Sequence, residues 1–341
     1  MSFFWEQFIE YQLEIISSLA AILITSGIIF LFHPAILVYY HDAIDHSTTV
    51  LGGSTKEEKS EEVLLSLVIP AYNEEDRLTV MLDECYEYLC KEDCPSLETL
   101  KKAYQNSNKA NKNPTTLVEW IVINDGSADK TSQVFENYVR KLEDSKHPFL
   151  WKLVILPVNE GKGAAVQVGM TEATGYYRLM VDADGATTFD KGLEAVSQEM
   201  LTATKDTSKQ TIVFGSRAGD GAKRSPLRQF LMHSFLRLRS FVVGTPVSIR
   251  DTQCGFKLFD RPSAMRLFTN LHLRRWAFDI ELVYVALSMK MGIKEVTVPW
   301  HEVDGSKLNT GFFALVKVSI GMLRDMCCVR ACYVLGIWKI R

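Results

Sequence analysis

Apolar and polar residues follow one another along this chain in blocks that are typical of alternating strands and helices. Helical periodicity is present from about Glu74 to Cys90, from about Thr131 to Leu142, and over the stretch GAAVQVGMTEAT. Near-continuous apolar strands between such helices indicate an α/β fold with a mostly parallel sheet and helices on both faces. The predicted strands are VLLSLVIPA, LVEWIVIND, WKLVILPV, YYRLMVDAD and TIVFGSR.

The beginning of the chain has a different pattern. Ile15 to Tyr40 contains no Asp, Glu, Lys or Arg, and about 20 apolar residues are enough to cross a bilayer. The residues before this stretch include acidic rather than basic side chains, which argues against a secretory signal. We therefore expect residues 1–45 to hold a retained N-terminal transmembrane helix and its juxtamembrane segment. The alternative is a helix buried in the core.

Charge and turn signals divide the rest of the chain. Residues 46–62 are predicted to be a charged linker, and residues 63–306 are predicted to form a single folded domain. Within this domain, the polar stretch KEDCPSLETLKKAYQNSNKANKNPTT is expected to be a surface excursion. Residues 217–245 mix basic and apolar side chains, which predicts an amphipathic segment beside an anionic lipid headgroup. The alternative is a solvated helix face. Residues 307–341 are expected to lie along a lipid bilayer, as C-terminal membrane-associated helices.

Composition narrows the function class and the compartment. The net charge of −3 argues against a general nucleic-acid binder. The seven cysteines lack metal-ligand spacing, so we expect reduced thiols. The single Asn-x-Thr sequence is disqualified as a glycosylation site by Pro114. These observations favour a domain that faces the cytosol, and nothing in the sequence indicates an oligomeric state.

The strongest candidate chemistry follows the fourth predicted strand. Asp182 and Asp184 are two residues apart, so in extended chain their carboxylates would lie on one face. Paired carboxylates suit a hard cation such as Mg²⁺ or Mn²⁺, and Mg²⁺ is usually shared between one or two carboxylates and substrate phosphates. The alternative is a turn in which an aspartate caps the next helix.

Other polar motifs follow the neighbouring predicted strands, where ligands of such sheets bind. Lys162 in NEGKG opens a helix, so its charge and the helix dipole would attract an anion. Asp125 in NDGS could accept hydrogen bonds from a ribose or a base, or could simply form an Asp-Gly turn. The chain has neither a Walker loop nor G-x-G-x-x-G after the first strand, which disfavours a dinucleotide-dependent dehydrogenase.

In the order VIPAYNE, NDGS, NEGKG and DADG, these motifs resemble the inverting nucleotide-sugar glycosyltransferases with the GT-A fold. This large family includes the polyprenyl-phosphate sugar synthases, and the resemblance covers about Leu64 to Ser306. It implies a Rossmann-like GT-A domain with Mg²⁺ or Mn²⁺ on Asp182 and Asp184. The implied nucleotide-sugar contacts are Pro70, Ala71, Tyr72, Glu74, Asp125, Gly126, Lys162 and Asp182.

Two later stretches, RDTQCGFKLF and RRWAFDIELVYVA, are similar to members that transfer glucose from UDP-glucose to dolichyl phosphate. The resemblance implies inversion at the sugar during N-glycan assembly, in the endoplasmic reticulum membrane with the catalytic domain facing the cytosol.

Asp279 occupies the place of an acidic catalytic residue in related enzymes, and Asp251 is the second candidate. A phosphate nucleophile is mostly dianionic at neutral pH, so a strong general base is less necessary. The expected acceptor-phosphate contacts are Arg217, Arg224, Arg228 and Lys257.

Three alternatives remain open from the residues themselves. GDP-mannose could replace UDP-glucose as the donor, because few residues discriminate hexoses from first principles. A processive polysaccharide synthase would carry Q-x-x-R-W, which HLRRW nearly matches with His272 in place of Gln. A non-catalytic membrane protein could bind nucleotide sugars without transferring them, although none of the donor-site residues is missing.

Overall fold

The computed structural model describes residues 23–36, 44–51, 63–107, 118–142, 149–205, 210–217, 249–303 and 312–341, with isolated positions between 237 and 244. Its helices are α1 (23–36), α2 (Leu78–Leu89), α3 (Pro95–Ser107), α4 (Thr131–Lys141), α5 (Lys162–Glu172), α6 (Phe189–Ala203), α7 (Arg261–Phe268), α8 (Phe278–Ser288) and α9 (Phe312–Val334). Its strands are β1 (Ser47–Val50), β2 (Leu65–Ala71), β3 (Val118–Asp125), β4 (Phe149–Leu156), β5 (Tyr177–Met180), β6 (Thr211–Ser216), β7 (Lys257–Asp260) and β8 (Gly292–Thr297).

These eight strands form one sheet in the order β1-β4-β3-β2-β5-β7-β6-β8. The four adjacent strands β4, β3, β2 and β5 are parallel to one another, as predicted. The short strand β7 is antiparallel to both of its neighbours, and β1 is antiparallel to β4. The loops that follow β2, β3, β4 and β5 therefore meet at one edge of the sheet, where the chemistry was expected.

Helices cover both faces of the sheet. One face packs against α2, α3, α4 and α6 through side chains such as Leu82 and Phe135. The opposite face packs against α5, α7, α8 and α9 through side chains such as Phe268 and Val283. Apolar residues of β3 contribute to both cores, since Trp120 belongs to the first and Ile121 to the second. Burial on both faces explains why the central strands are continuous apolar runs.

The prediction was incomplete at the sheet's margins and wrong in one stretch. The expected linker 46–62 begins with β1, which pairs with β4 from Ser47 to Val50. The polar stretch after α2 is not a bare surface excursion, because Pro95–Ser107 is helical and buries Leu100 and Tyr104 against the domain. The half-exposed strand β8 and the four-residue strand β7 have too little apolar pattern to be recognised from the sequence.

The membrane-related expectations are tested only in part. Residues 23–36 of the expected spanning segment are helical, and residues 1–22 and 37–43 lie outside the described part of the chain. Among the described residues, the helices include none with both the length and the apolar character needed to cross a membrane. Most of the amphipathic segment 217–245 also lies outside the described residues.

We expect Trp120→Ala to lower the free energy of unfolding by about 3–5 kcal/mol, because it opens a cavity in a closely packed core. Trp120 is fully buried, and its ring stacks on that of Trp151 with centroids 5.0 Å apart. Urea unfolding followed by circular dichroism measures the change. The matched control Val80→Ala, at an exposed position of α2, should change the free energy by less than about 0.5 kcal/mol. Equal effects of the two variants would contradict this account of the core.

Candidate active site

The loops after β2 and β3 are held together by reciprocal hydrogen bonds. The backbone N–H of Asn73 donates to Oγ of Ser127 at 2.9 Å, and Oδ1 of Asn73 accepts from the backbone N–H of Ala128 at 2.8 Å. Asn73 has a φ of +52°, a left-handed conformation that asparagine adopts more readily than most residues. The PAYNE and NDGS motifs therefore form one rigid unit at the carboxyl edge of the sheet.

Asp125 joins this unit to the loop after β4. Its carboxylate accepts hydrogen bonds from Nδ2 of Asn159 at 3.0 Å and from the backbone N–H groups of Glu160 and Gly161 at 2.8 and 2.9 Å. Burial raises the pKa of Asp125 to about 6, although the two backbone donors oppose the shift. A side chain at Gly126 would collide with the backbone of Val158, at 2.5 Å. Asp125, predicted to contact the nucleotide, thus also orders the NEGKG loop.

The NEGKG loop packs directly on the loop before α8. The backbone N–H of Ala164 donates to the carbonyl oxygen of Arg274 at 2.9 Å. A Cβ added at Gly161 would lie 2.7 Å from that same oxygen, and one added at Gly163 would lie 2.6 Å from the carbonyl oxygen of Leu273. Both glycines are therefore required by close backbone approach, and this contact fixes the start of α5.

Lys162, at the first position of α5, forms an ion pair with Asp182. Nζ of Lys162 lies 2.6 Å from Oδ1 of Asp182. Burial alone lowers the pKa of this ammonium, but the carboxylates of Asp182 and Asp279 outweigh it and hold the pKa above its usual value. Lys162 therefore remains charged at neutral pH. The structure brings together these two residues, which the sequence predicted to share one site.

The two aspartates of DADG lie just after β5 rather than within it, in a turn where Gly185 has a φ of +69°. Oδ1 of Asp184 accepts a hydrogen bond from the backbone N–H of Ala186 at 3.0 Å. Asp182 rests on Gly255, where an added Cβ would lie 2.0 Å from Oδ2 of Asp182. Gly255 is thus needed to seat this carboxylate, a role that the sequence did not reveal.

The donor set at this turn fits a divalent cation that is shared with a ligand. Both carboxylates are half-buried and face the same edge of the sheet as Lys162. The described residues contain no cluster of three or more His, Cys, Asp or Glu side chains that would enclose a metal. Two neighbouring carboxylates match the way in which Mg²⁺ is held by one or two carboxylates and substrate phosphates together.

Lys257 and Asp279 are buried and form an ion pair with each other. Lys257 is completely buried, and its Nζ lies 2.8 Å from Oδ1 of Asp279 and donates to the carbonyl oxygen of Cys254. Lys257 is thus paired inside the domain, and its expected contact with an acceptor phosphate stays a prediction. Asp279 is also buried, which raises its pKa, although Lys257 and Lys162 oppose the shift. Asp279 therefore balances the charge of Lys257 and Lys162, and its catalytic role stays a prediction.

Asp251 and Arg217 also form an ion pair with each other. Nε of Arg217 lies 2.7 Å from Oδ2 of Asp251, and Nη2 lies 2.8 Å from Oδ1. Burial favours the neutral acid, but the bidentate pair with Arg217 outweighs it, and the pKa of Asp251 is lowered. The catalytic role expected of Asp251 stays a prediction. Arg224 and Arg228, the other expected phosphate contacts, lie outside the described residues.

The remaining predicted donor contacts lie at the end of β2. Pro70 and Ala71 are the last two residues of the strand, and Tyr72 follows with an exposed ring. Glu74 is buried and accepts two hydrogen bonds from the guanidinium of Arg77, both at 2.8 Å. The structure therefore brings the β2 end into the same cluster of loops as Asp125.

Sequence reasoning missed the contribution of the HLRRW stretch to this site. The exposed ring of Trp276 lies with its centroid 5.7 Å from Nζ of Lys162, within the range of a cation–π contact. Nη1 of Arg274 lies 2.9 Å from Oε2 of Glu160. The approach of Trp276 to Lys162 depends on tertiary structure alone, so no local sequence signal indicates it.

Comparison with known proteins identifies the family of this chain. The family description "Glycosyl transferase family 2" matches residues 66–268. Dolichyl-phosphate beta-glucosyltransferase ALG5A of Trichomonas vaginalis is 41% identical over 82% of this chain and 76% of its own length. The human dolichyl-phosphate beta-glucosyltransferase is 38% identical over 81% of this chain and 78% of its own length.

Solved structures show a more distant similarity. Glucosyl-3-phosphoglycerate synthase from Mycobacterium tuberculosis, in complex with uridine diphosphate, is 17% identical and has a TM-score of 0.48, with coverage of 81% of this chain and 85% of that one. Similarity of that order says nothing about the substrate. The match over residues 66–268 and the close sequence relatives show that this chain belongs to glycosyl transferase family 2.

Proposed function

We propose that this protein transfers glucose from UDP-glucose to dolichyl phosphate with inversion, giving dolichyl β-D-glucosyl phosphate for N-glycan assembly. The observation that carries the proposal is the Lys162–Asp182 ion pair beside Asp184, at the edge where four strand-end loops meet. A cation and two carboxylates at one edge suit a diphosphate with a shared divalent ion. The names of the relatives supply the sugar and the lipid acceptor.

Different residues of the strand-end loops would bind different parts of the donor. Asp182 and Asp184 would hold Mg²⁺ or Mn²⁺, which when bound neutralises charge on the departing diphosphate. Lys162 keeps a positive charge at the same place, because its pKa is held high. Since negative charge develops on the diphosphate as the bond to C1 breaks, a preformed cation stabilises that transition state. The loops at Tyr72 and Asp125 are placed to receive the nucleoside.

The buried carboxylates agree with a phosphate nucleophile. Asp279 and Asp251 each have a basic partner inside the domain, and we propose that neither removes a proton from the acceptor. A lipid phosphate is mostly dianionic at neutral pH and needs no such base. Attack by its oxygen forms the C1–O bond as the C1–O bond to UDP breaks, and the electron pair leaves with UDP. The acceptor phosphate is proposed to meet Arg224 and Arg228.

We also propose that the protein is held at the endoplasmic reticulum membrane with its catalytic domain facing the cytosol. The charge-free stretch Ile15 to Tyr40 supports this proposal. Exposed apolar side chains on α1 and at the end of α9 supply a further apolar surface suited to lipid. They include Leu23, Ile28, Ile29, Leu335 and Ile337.

Turnover measured separately with UDP-glucose and with GDP-mannose tests the proposed reaction. The purified protein in detergent should transfer radiolabelled glucose from UDP-glucose to dolichyl phosphate in the presence of Mg²⁺ or Mn²⁺. Chelation should reduce the rate at least about 100-fold, if the ion stabilises the departing diphosphate. Faster transfer of mannose from GDP-mannose would replace the proposed donor, and binding of UDP-glucose without any transfer would contradict the proposed activity.

Asp184→Asn should reduce the transfer rate by about 100-fold or more while leaving the melting temperature nearly unchanged, since it removes charge needed only at the diphosphate. The control Asp190→Asn makes the same chemical change six residues further along, at the start of α6. That control should retain nearly all of the activity. Steady-state rates at saturating UDP-glucose measure both variants, and a wild-type rate for Asp184→Asn would refute the assignment.

A further inference from the structure

A buried carboxylate outside the donor loops accepts hydrogen bonds from the segment that packs on the NEGKG loop. Glu281, on α8, is completely buried. Its carboxylate accepts hydrogen bonds from the backbone N–H groups of His272 and Leu273, at 2.9 and 2.6 Å, and lies 2.8 Å from Nδ1 of His272. A fourth donor is the hydroxyl of Tyr333, at 3.0 Å. Such a buried acceptor stabilises the chain only while its donors stay in place.

The segment formed by residues 333–341 completes this arrangement. The ring of Trp338 is buried and stacks on that of His272, with centroids 4.3 Å apart and planes 4° from parallel. The ring of Tyr333 stacks on that of Tyr284 at 4.7 Å. The backbone N–H of Arg341 donates to Oδ1 of Asn270 at 2.7 Å. The segment therefore contacts residues 270–273 at several independent points.

Those residues lead directly to the donor site. The carbonyl oxygens of Leu273 and Arg274 are the groups that pack on Gly163 and Gly161, and the latter oxygen accepts from the N–H of Ala164. Lys162 lies between these two glycines and pairs with Asp182. An unbroken series of contacts thus runs from the segment 333–341, through Glu281 and the loop 270–276, to the cation of the donor site.

We infer that the segment 333–341 is a positioning element of the donor site, in which Tyr333 and Trp338 hold the loop 270–276 and thereby set the place of Lys162. The inference rests on the proposed function in one respect, since it takes UDP-glucose as the donor. Neither side chain touches the donor in this scheme. Their loss should weaken binding of UDP-glucose and leave the use of the lipid acceptor almost unchanged.

The variant Tyr333→Phe isolates the hydroxyl. It keeps the ring that stacks on Tyr284, and Glu281 retains its three contacts with His272 and Leu273. The matched control is Tyr88→Phe. Tyr88 is also buried, and its hydroxyl donates to a glutamate, Glu194, at 3.3 Å. Tyr88 belongs to the core on the opposite face of the sheet.

Calorimetric titration of UDP-glucose, with Mn²⁺ present, measures the effect directly on the full chain. Tyr333→Phe should raise the Kd for UDP-glucose about three- to tenfold. This change corresponds to part of the free energy that a hydrogen bond to a buried charged group contributes. The KM for dolichyl phosphate should change less than about twofold, because a loosened donor loop lowers donor affinity selectively. Tyr88→Phe should lower the melting temperature by a similar amount as Tyr333→Phe, without changing the Kd.

A second pair of variants separates positioning from folding. Trp338→Ala should raise the Kd for UDP-glucose and increase hydrogen exchange of residues 270–276, and Trp338→Phe should restore both, because a ring again stacks on His272. The inference is overturned if Tyr333→Phe and Trp338→Ala leave the Kd at the wild-type value, or if they raise the Kd and the acceptor KM equally. Wild-type protein that binds UDP-glucose but transfers no glucose would overturn the proposed reaction alone. Absence of UDP-glucose binding in the wild type would overturn both.

Discussion

The charge of Lys162 is the constraint on which the rest of this site depends. A buried ammonium is stable only beside negative charge, and here Asp182 lies 2.6 Å away with Asp279 beyond it. Asp279 is itself balanced by Lys257. Two acids and two bases therefore alternate in the series Lys257, Asp279, Lys162 and Asp182. The side chains of Lys162 and Asp182 keep 16% and 32% of their surface exposed, so a ligand can reach this pair, whereas Lys257 and Asp279 are 0% and 4% exposed.

This arrangement separates groups that act on the substrate from groups that support them. Under the proposed function, Asp182, Asp184 and Lys162 would supply charge to a diphosphate rather than transfer a proton. The inner pair, Lys257 and Asp279, keeps Lys162 charged and in place. A site of this kind suits a reaction whose difficulty lies in the leaving group, with a nucleophile that is already anionic. Transfer to a lipid phosphate is such a reaction.

Much of the fold and part of the site were predictable from local pattern. Strands β2 to β6 were recognised because burial on both faces makes them continuous apolar runs, and their loops were placed correctly because parallel strands end at one edge. The role of Lys257 was not predictable, since its partner Asp279 lies on a helix 22 residues further along. The same holds for Gly255, whose need for glycine comes entirely from the carboxylate that packs on it.

The most direct test of the account is a crystal structure with UDP-glucose and Mn²⁺, in which anomalous scattering locates the ion. The account predicts Mn²⁺ bound by the carboxylates of Asp182 and Asp184 and by oxygens of the diphosphate, with Nζ of Lys162 within hydrogen-bonding distance of the same diphosphate. An ion bound elsewhere, or a nucleotide seated away from the loops after β2 to β5, would contradict it.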